Sequence, residues 1–255
     1  MTKPIQIKNI ILGQGMPKIC VPLTAQTAEE LFSQAEASVA AGADLVEWRA
    51  DFFEELEQEV KTAETLELLS DILGQVPLLF TIRTKKEGGN REISTDDYVN
   101  YNLLAARTGY ADLVDVEAFD NEEEKKKLIS EIRKLGVKVI ASTHDFQKTG
   151  SRETLLSRFQ EMDASGADIL KMAVMPKDFE DVAAIMQATN EMTKLTDRPL
   201  ISMAMGDTGS MSRISGENFG SCVTFGTVGK ASAPGQFPIK ELRMMMEALH
   251  RKNQE

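Results

Sequence analysis

The chain reads as an α/β protein, a closed (β/α)8 TIM barrel with an N-terminal β-hairpin closing its bottom. Three observations predict this. Eight short runs rich in Val, Ile and Leu recur along the chain, each followed by a longer stretch of helical periodicity. The runs are close to continuously apolar, the pattern of parallel strands buried under helices on both faces. No Pro/Gly/Ser-rich linker or low-complexity segment divides the 255 residues, a length one barrel commonly needs. Residues 1–255 are therefore read as one domain, with 1–17 as the hairpin cap and 18–250 as the barrel.

The elements follow in order. Residues 5–16, Ile-Gln-Ile-Lys-Asn-Ile-Ile-Leu-Gly-Gln-Gly-Met, precede the first repeat and form the hairpin. The strands are expected at 19–23, 45–49, 77–83, 113–117, 137–142, 169–174, 200–205 and 222–228. Between them run apolar helical faces: Leu31, Phe32, Ala35 and Val39, then Leu155, Leu156, Phe159 and Met162, and last Ile239, Leu242, Met246 and Leu249. Periodicity leaves open whether that last face meets the barrel or another molecule. Ser94-Thr-Asp-Asp97 and Asp120-Asn-Glu-Glu123 are capped helix openings with acid in the first turn. Gly42, Gly109, Gly136 and Gly166 stand where a left-handed helix end is wanted.

Charge narrows the class. Lys and Arg total 29 against 40 Asp and Glu, a net charge of -11, which speaks against a general polyanion binder. No apolar run approaches the ~18 residues of a membrane span, and Met1-Thr-Lys-Pro-Ile-Gln-Ile lacks the apolar region of a secretory signal. Cys20 and Cys222 allow at most one disulfide and fit no paired metal motif. The expectation is a soluble, cytoplasmic protein with a small-molecule substrate and neither nucleic acid nor membrane as partner.

In such a barrel, function sits at the C-terminal strand ends. Glu47 and Arg49 share a face there, with Trp48 on the other. Arg83 ends the third strand and is followed by Glu87-Gly-Gly. Asp115 and Glu117 share a face, His144 ends the fifth strand, and Met203 and Met205 share a face of the seventh. Each charge alone is ordinary as half of an ion pair. Lys171 is harder to dismiss, because an ammonium among Ile169, Leu170, Met172 and Val174 is costly to bury unless paired or neutralised. Strand after strand ends in a titratable group aimed at one place.

A lysine in an apolar pocket beside Arg49, Arg83 or Arg213 is expected to have a lowered pKa, which prepares a free amine for attack on a carbonyl. His144 stands one strand away as a general acid/base, and Glu87 is placed to orient it. Arginines round the mouth favour an anionic substrate, most simply a carboxylate. The rival is a divalent metal held by Glu47, Asp115, Glu117 and His144, which the same arginines and lysine oppose. Gly13-Gln-Gly15 does not continue as a dinucleotide fingerprint, and Gly226-Thr-Val-Gly229-Lys230 is too short for a phosphate loop. The small-residue stretch after the last strand is either a turn or a flexible lid offering Ser232 and Gln236.

Taken together, Leu45-Val-Glu-Trp-Arg-Ala-Asp51, Phe80-Thr-Ile-Arg-Thr-Lys-Lys-Glu-Gly-Gly89, Ser142-Thr-His-Asp-Phe146, Lys171-Met-Ala-Val-Met-Pro176, Met203-Ala-Met205, Ser212-Arg213 and Lys230-Ala-Ser-Ala-Pro-Gly-Gln236 resemble the type I 3-dehydroquinate dehydratases of the shikimate pathway. The resemblance runs in order from about residue 5 to residue 250. It implies a hydro-lyase that converts 3-dehydroquinate to 3-dehydroshikimate by syn-elimination, usually as a homodimer, with no metal or organic cofactor. It makes Lys171 the Schiff-base lysine, His144 the acid/base and Glu87 its partner. Glu47, Arg49 and Arg83 become contacts to the ring hydroxyls, Arg213 the carboxylate partner, Met203, Met205 and Phe225 an apolar wall, and Ser232 and Gln236 the cover. Pro22 departs from the pattern, standing where the family commonly has a serine, so no hydroxyl is offered there. Two other readings of the residues remain: a different lysine-Schiff-base barrel, such as an aldolase for a hydroxy-keto acid, and a catalytically silent carboxylate-binding barrel.

Overall fold

The computed structural model describes residues 2–117, 121–229 and 231–254. Two three-residue strands come first, β1 (Ile5–Ile7) and β2 (Ile10–Leu12), paired antiparallel with Ile7 opposite Ile10. The two-residue turn between them requires a left-handed backbone, which Lys8 supplies at φ 44°.

Eight parallel strands follow: β3 (Lys18–Leu23), β4 (Leu45–Arg49), β5 (Leu78–Thr81), β6 (Leu113–Glu117), β7 (Lys138–Asp145), β8 (Ile169–Val174), β9 (Leu200–Ala204) and β10 (Val223–Phe225). They pair in chain order, and β10 returns to pair with β3. The ring closes between β9 and β10 by individual bonds. The Cys222 N–H donates to the Leu200 carbonyl at 2.8 Å, and the Ser221 hydroxyl accepts from the Ser202 N–H at 2.9 Å. The expected (β/α)8 barrel is the fold.

Six helices, α1 (Ala28–Ala40), α2 (Glu59–Leu73), α3 (Thr95–Thr108), α4 (Glu122–Lys134), α5 (Arg152–Ala164) and α6 (Phe179–Met192), join the strands from β3 to β9. The link from β9 to β10 uses two short ones, α7 (Ser210–Ile214) and α8 (Gly216–Phe219), and α9 (Ile239–Gln254) closes the chain. Thr27, Ser94, Asn121, Ser151 and Asp178 each cap a helix by accepting the N–H three residues on. Asp120, read as opening the fourth helix, lies outside the described residues; Asn121 is the cap. Gly42, Gly109, Gly136 and Gly166 take φ between 73° and 87°.

Three strand ends differ by more than one residue from the sequence reading. β7 continues to Asp145, which places His144 inside the strand. β5 stops at Thr81 because the Arg83 N–H turns to the Asp51 carboxylate instead of the ladder. β10 stops at Phe225 because Thr227 bonds to the returning chain, donating to Phe237 and accepting from Ile239. On α1, Val39 faces outward, and the buried face carries Ser38 instead, its hydroxyl donating to the Gln34 carbonyl.

Alternation along each strand splits the apolar side chains into two layers. Outward-facing residues pack under the helices, where Trp48 meets the edges of Phe53 and Phe80 at 5.4 and 5.5 Å. Ile239, Leu242 and Met246 of α9 belong to this layer, so that face is barrel core. Inside the barrel, Leu45, Leu79, Leu113, Ile140, Ile169, Ile201 and Val223 form a floor with Ile7, Ile10 and Leu12 of the hairpin beneath it.

Candidate active site

Two residues beyond that floor, the same inward face turns polar. Register sets the arrangement: Thr81 lies opposite Asp115, Glu117 opposite Ser142, and Ser142 opposite Lys171. The twelve site residues singled out from sequence (Glu47, Arg49, Arg83, Glu87, His144, Lys171, Met203, Met205, Arg213, Phe225, Ser232 and Gln236) all line one cavity at the C-terminal mouth. Pro22 lines it too, and offers no side-chain hydroxyl.

Lys171 is buried at 3% exposure, with its Nζ 4.5 Å from the centre of the Phe225 ring. Arg49 and Arg83, expected beside it, line the same cavity but carry acids of their own. The nearest charged groups to Lys171 are carboxylates, Glu47 Oε1 and Asp115 Oδ2, each at 3.4 Å. Arg49 forms a two-pronged pair with the fully buried Asp51, both contacts at 2.8 Å. Arg83 donates to Glu117 at 2.9 Å, to Asp115 at 3.0 Å and to the Ser142 hydroxyl at 3.0 Å. The three arginines expected beside Lys171 line the same cavity, and strand register sets acids closer still, on both sides of the amine.

The loop after β5 brings Glu87 to His144. Thr84 anchors the loop on the Glu117 carboxylate through both its N–H and its hydroxyl. A short turn, Lys85–Glu87, then ends at Gly88 with φ 81°. A Cβ at Gly89 would lie 1.8 Å from the Arg83 carbonyl oxygen, and one at Gly88 would lie 2.4 Å from the Phe146 ring, so two glycines are required. Glu87 Oε2 accepts the His144 backbone N–H and meets His144 Nδ1, both at 3.0 Å.

Burial dominates the titration of this pair. It pushes Glu87 up to about 8, helped by Glu117 and Asp115 and opposed by Arg83. Burial, followed by the charges of Arg83, Lys171 and Arg49, holds His144 well below the usual imidazole value. Both directions favour an uncharged imidazole beside a protonated carboxyl, one tautomer of an imidazolium–carboxylate pair.

Arg213 comes from α7, the short helix that replaces a full crossover, and is buried at 2% exposure. Among the described residues it has no carboxylate partner. Its Nη2 donates to the Pro234 carbonyl at 2.9 Å, and its Nε makes no hydrogen bond. Burial alone lowers it to about 10, so it remains a cation. A buried guanidinium that faces a cavity without a described counter-ion can receive a carboxylate there. Across it lies the loop after β10, where Ser232 and Gln236 bond to each other at 2.9 to 3.2 Å. Lys230 of that loop lies outside the described residues.

Residues beyond those twelve complete the frame. Asp115 and Glu117 are visible in sequence as an acidic pair on one face, but their pairing with Arg83 is not. Asp51 stands in the motif string without a role; here it accepts from Arg49, from the Arg83 N–H and from the Asn90 N–H, tying β4 to the Glu87 loop. A serine at 142 carries no signal until register sets it between Asp115 and Arg83.

The chain matches the family model described as type I 3-dehydroquinase over residues 19–253. It is 44% identical over 247 residues to a 3-dehydroquinate dehydratase from Listeria welshimeri, spanning 97% of this chain and 98% of the relative. A 3-dehydroquinate dehydratase from Klebsiella pneumoniae is 44% identical over 250 residues, 98% of this chain and 100% of its own. Among solved structures, the type I 3-dehydroquinate dehydratase from Clostridium difficile with covalently modified comenic acid superposes with a TM-score of 0.95 at 43% identity, covering 99% of this chain and 100% of the other.

Proposed function

The chain belongs to the type I 3-dehydroquinase family, and from that premise we propose that the barrel mouth is the site at which Lys171 forms a Schiff base with 3-dehydroquinate and water is lost to give 3-dehydroshikimate, a step of the shikimate route to aromatic amino acids. The observation that carries this reading is the joint placement, in one cavity, of a buried amine, a neutral His–Glu pair and a buried arginine lacking a counter-ion.

Arg213 holds the substrate carboxylate, and Glu47, Arg49 and Arg83 meet the ring hydroxyls. Met203, Met205 and Phe225 form the apolar wall, and Ser232 and Gln236 close over the ring. The Lys171 amine adds to the ring ketone; His144 assists loss of water from the carbinolamine, leaving an iminium. The iminium withdraws electrons from the neighbouring C–H bond. His144, a neutral base paired with Glu87, takes that proton and gives an enamine. It then returns a proton to the hydroxyl leaving from the same side, so one residue serves both transfers. Water hydrolyses the conjugated iminium and frees the product.

The test is direct. Protein mixed with 3-dehydroquinate in the presence of a chelator is expected to raise the ultraviolet absorbance of a conjugated enone, and borohydride is expected to trap substrate on Lys171. A folded sample that produces no enone overturns the substrate assignment; a new aldehyde in its place indicates an aldolase, and binding without reaction indicates a silent barrel. We further take the active form to be a homodimer, as the family resemblance implies, of one-domain subunits in the cytoplasm, as the composition and the unbroken chain suggest. Light scattering that returns the mass of a single chain would overturn the dimer.

A further inference from the structure

The two carboxylates that flank Lys171 are not equivalent. Asp115 is fully buried and does not line the cavity. Its Oδ1 is fixed by two donors, the Ser142 hydroxyl at 2.6 Å and Arg83 Nη2 at 3.0 Å, which leaves Oδ2 aimed at Lys171 Nζ. Glu47 lines the cavity, and only its Oε1 is engaged, accepting from Thr81 at 2.9 Å and facing Nζ at 3.4 Å. Its Oε2 makes no hydrogen bond with a described residue and is open to an incoming hydroxyl.

We propose that Asp115 is the catalytic counter-ion of the Lys171 iminium, staying on Nζ through the covalent cycle while Glu47 turns to the substrate. This rests on the Schiff-base reading above. Condensation of the ammonium with a ketone, R–NH3+ with O=C giving R–NH+=C and water, conserves both atoms and charge. The nitrogen is a cation at both ends of that condensation, as ammonium and as iminium. It is neutral in the attacking amine and the carbinolamine between them, while the three N–H donors of the ammonium become one. A single N–H cannot serve two carboxylates. The partner that keeps it is the one with no alternative and no freedom to rotate, held by Arg83 and Ser142 in a dry site where an unpaired charge is most costly. Burial raises Asp115, but Arg83, Lys171 and the Ser142 hydrogen bond more than offset it and hold the group below the usual carboxylate range, as an anion.

The experiment incubates the full-length wild type, Asp115→Asn and Glu47→Gln with 3-dehydroshikimate and borohydride, and measures the Lys171 adduct by mass spectrometry across ligand concentrations. Binding of quinate, which has no ketone, is followed in parallel by thermal shift. Asp115→Asn is expected to lower the adduct plateau by about tenfold or more, because a buried cation loses its partner. Quinate binding should hold to about threefold, because Arg213 is untouched. Glu47→Gln should raise the half-saturating ligand concentration more than it lowers the plateau. An unchanged plateau in Asp115→Asn, an equal plateau loss in Glu47→Gln, or loss of quinate binding together with the adduct would each overturn the assignment. Should Asp115→Asn fail to fold, Ser142→Ala keeps every charge and releases Oδ1 from one donor. A plateau loss of about two- to fivefold then supports the role, and none overturns it. Failure of the wild type to turn over or trap substrate would instead refute the Schiff-base reading itself.

Discussion

The floor and the mouth of this barrel are built by the same strands on the same inward face, two residues apart, and they are held by opposite physics. On the floor, Leu79, Leu113, Ile140 and Ile169 need only be buried, at roughly 25 cal/mol per Å2 of apolar area. In the mouth, Arg83, Asp115, Glu117 and Lys171 are tolerated because each charge has a partner at 2.9 to 3.4 Å. The contrast teaches where stability and chemistry reside. Floor substitutions should alter folding and leave catalysis alone, whereas mouth substitutions should alter catalysis and change folding only through the charge they leave behind.

The largest expected effect is at Lys171. Lys171→Ala should cut turnover by at least about 10^4-fold, as removal of a covalent nucleophile does elsewhere, with ligand binding still measurable. It should also melt lower, since Glu47 and Asp115 lose their shared cation, a cost of about 3–5 kcal/mol in a dry site. Substantial residual turnover in a steady-state assay would end the covalent scheme. On the floor, Leu113→Ala should cost about 2–5 kcal/mol in urea unfolding and leave kcat close to wild type. A tenfold drop in kcat without loss of stability would show that floor and mouth are not separable.

Arg213 sharpens the comparison, because among the described residues it is the mouth cation without a carboxylate partner. Arg213→Met should lower kcat/KM by roughly 10- to 100-fold, mainly through KM, as expected for one lost charge-assisted contact. Unlike Lys171→Ala it should melt at or above the wild-type temperature, since it removes an uncompensated buried charge. A lower melting temperature would mean that the Pro234 contact matters more to folding than the unpaired charge costs.

What the sequence shows follows the same division. Apolar runs and helical faces report burial, a property of single residues in a row, so the eight strands and the hairpin are legible in residue order alone. So are most of the mouth's polar residues, whereas Phe225 enters only through the family resemblance. Pairing is a property of register between strands far apart in sequence. Ser142 facing Lys171, Asp115 facing Thr81 and Arg83 reaching both acids depend on strand offsets that no spacing rule supplies. That is why the residue types point to arginines beside Lys171, which do share its cavity, but not to the two carboxylates that flank its amine. Asp51 escapes notice for the same reason: its role lies in backbone N–H groups some 30 to 40 residues downstream.

The smallest predicted effect tests how dry the mouth is. Glu87 rises from 4.5 to about 8 on folding, chiefly by burial. Between those values the folded protein holds a proton the unfolded chain has released, so this group's contribution to stability is full below 4.5 and is lost as pH climbs through about 8. His144 acts with the opposite sign. Depressed well below 6.5, it takes up a proton on unfolding, so its contribution is present above 6.5 and is lost as pH falls. Glu87→Gln deletes the alkaline loss and keeps the acid one. The variant should therefore gain on wild type as pH rises from 6 to 9, by about 1–3 kcal/mol given the 12% exposure of the Glu87 side chain. Thermal melts at several pH values read this directly. Parallel curves would mean that Glu87 titrates as an ordinary carboxylate, with water reaching the pair. The His144 base would then work as half of a solvated imidazolium–carboxylate pair, and the mouth would owe its charges to water as well as to its own ion pairs.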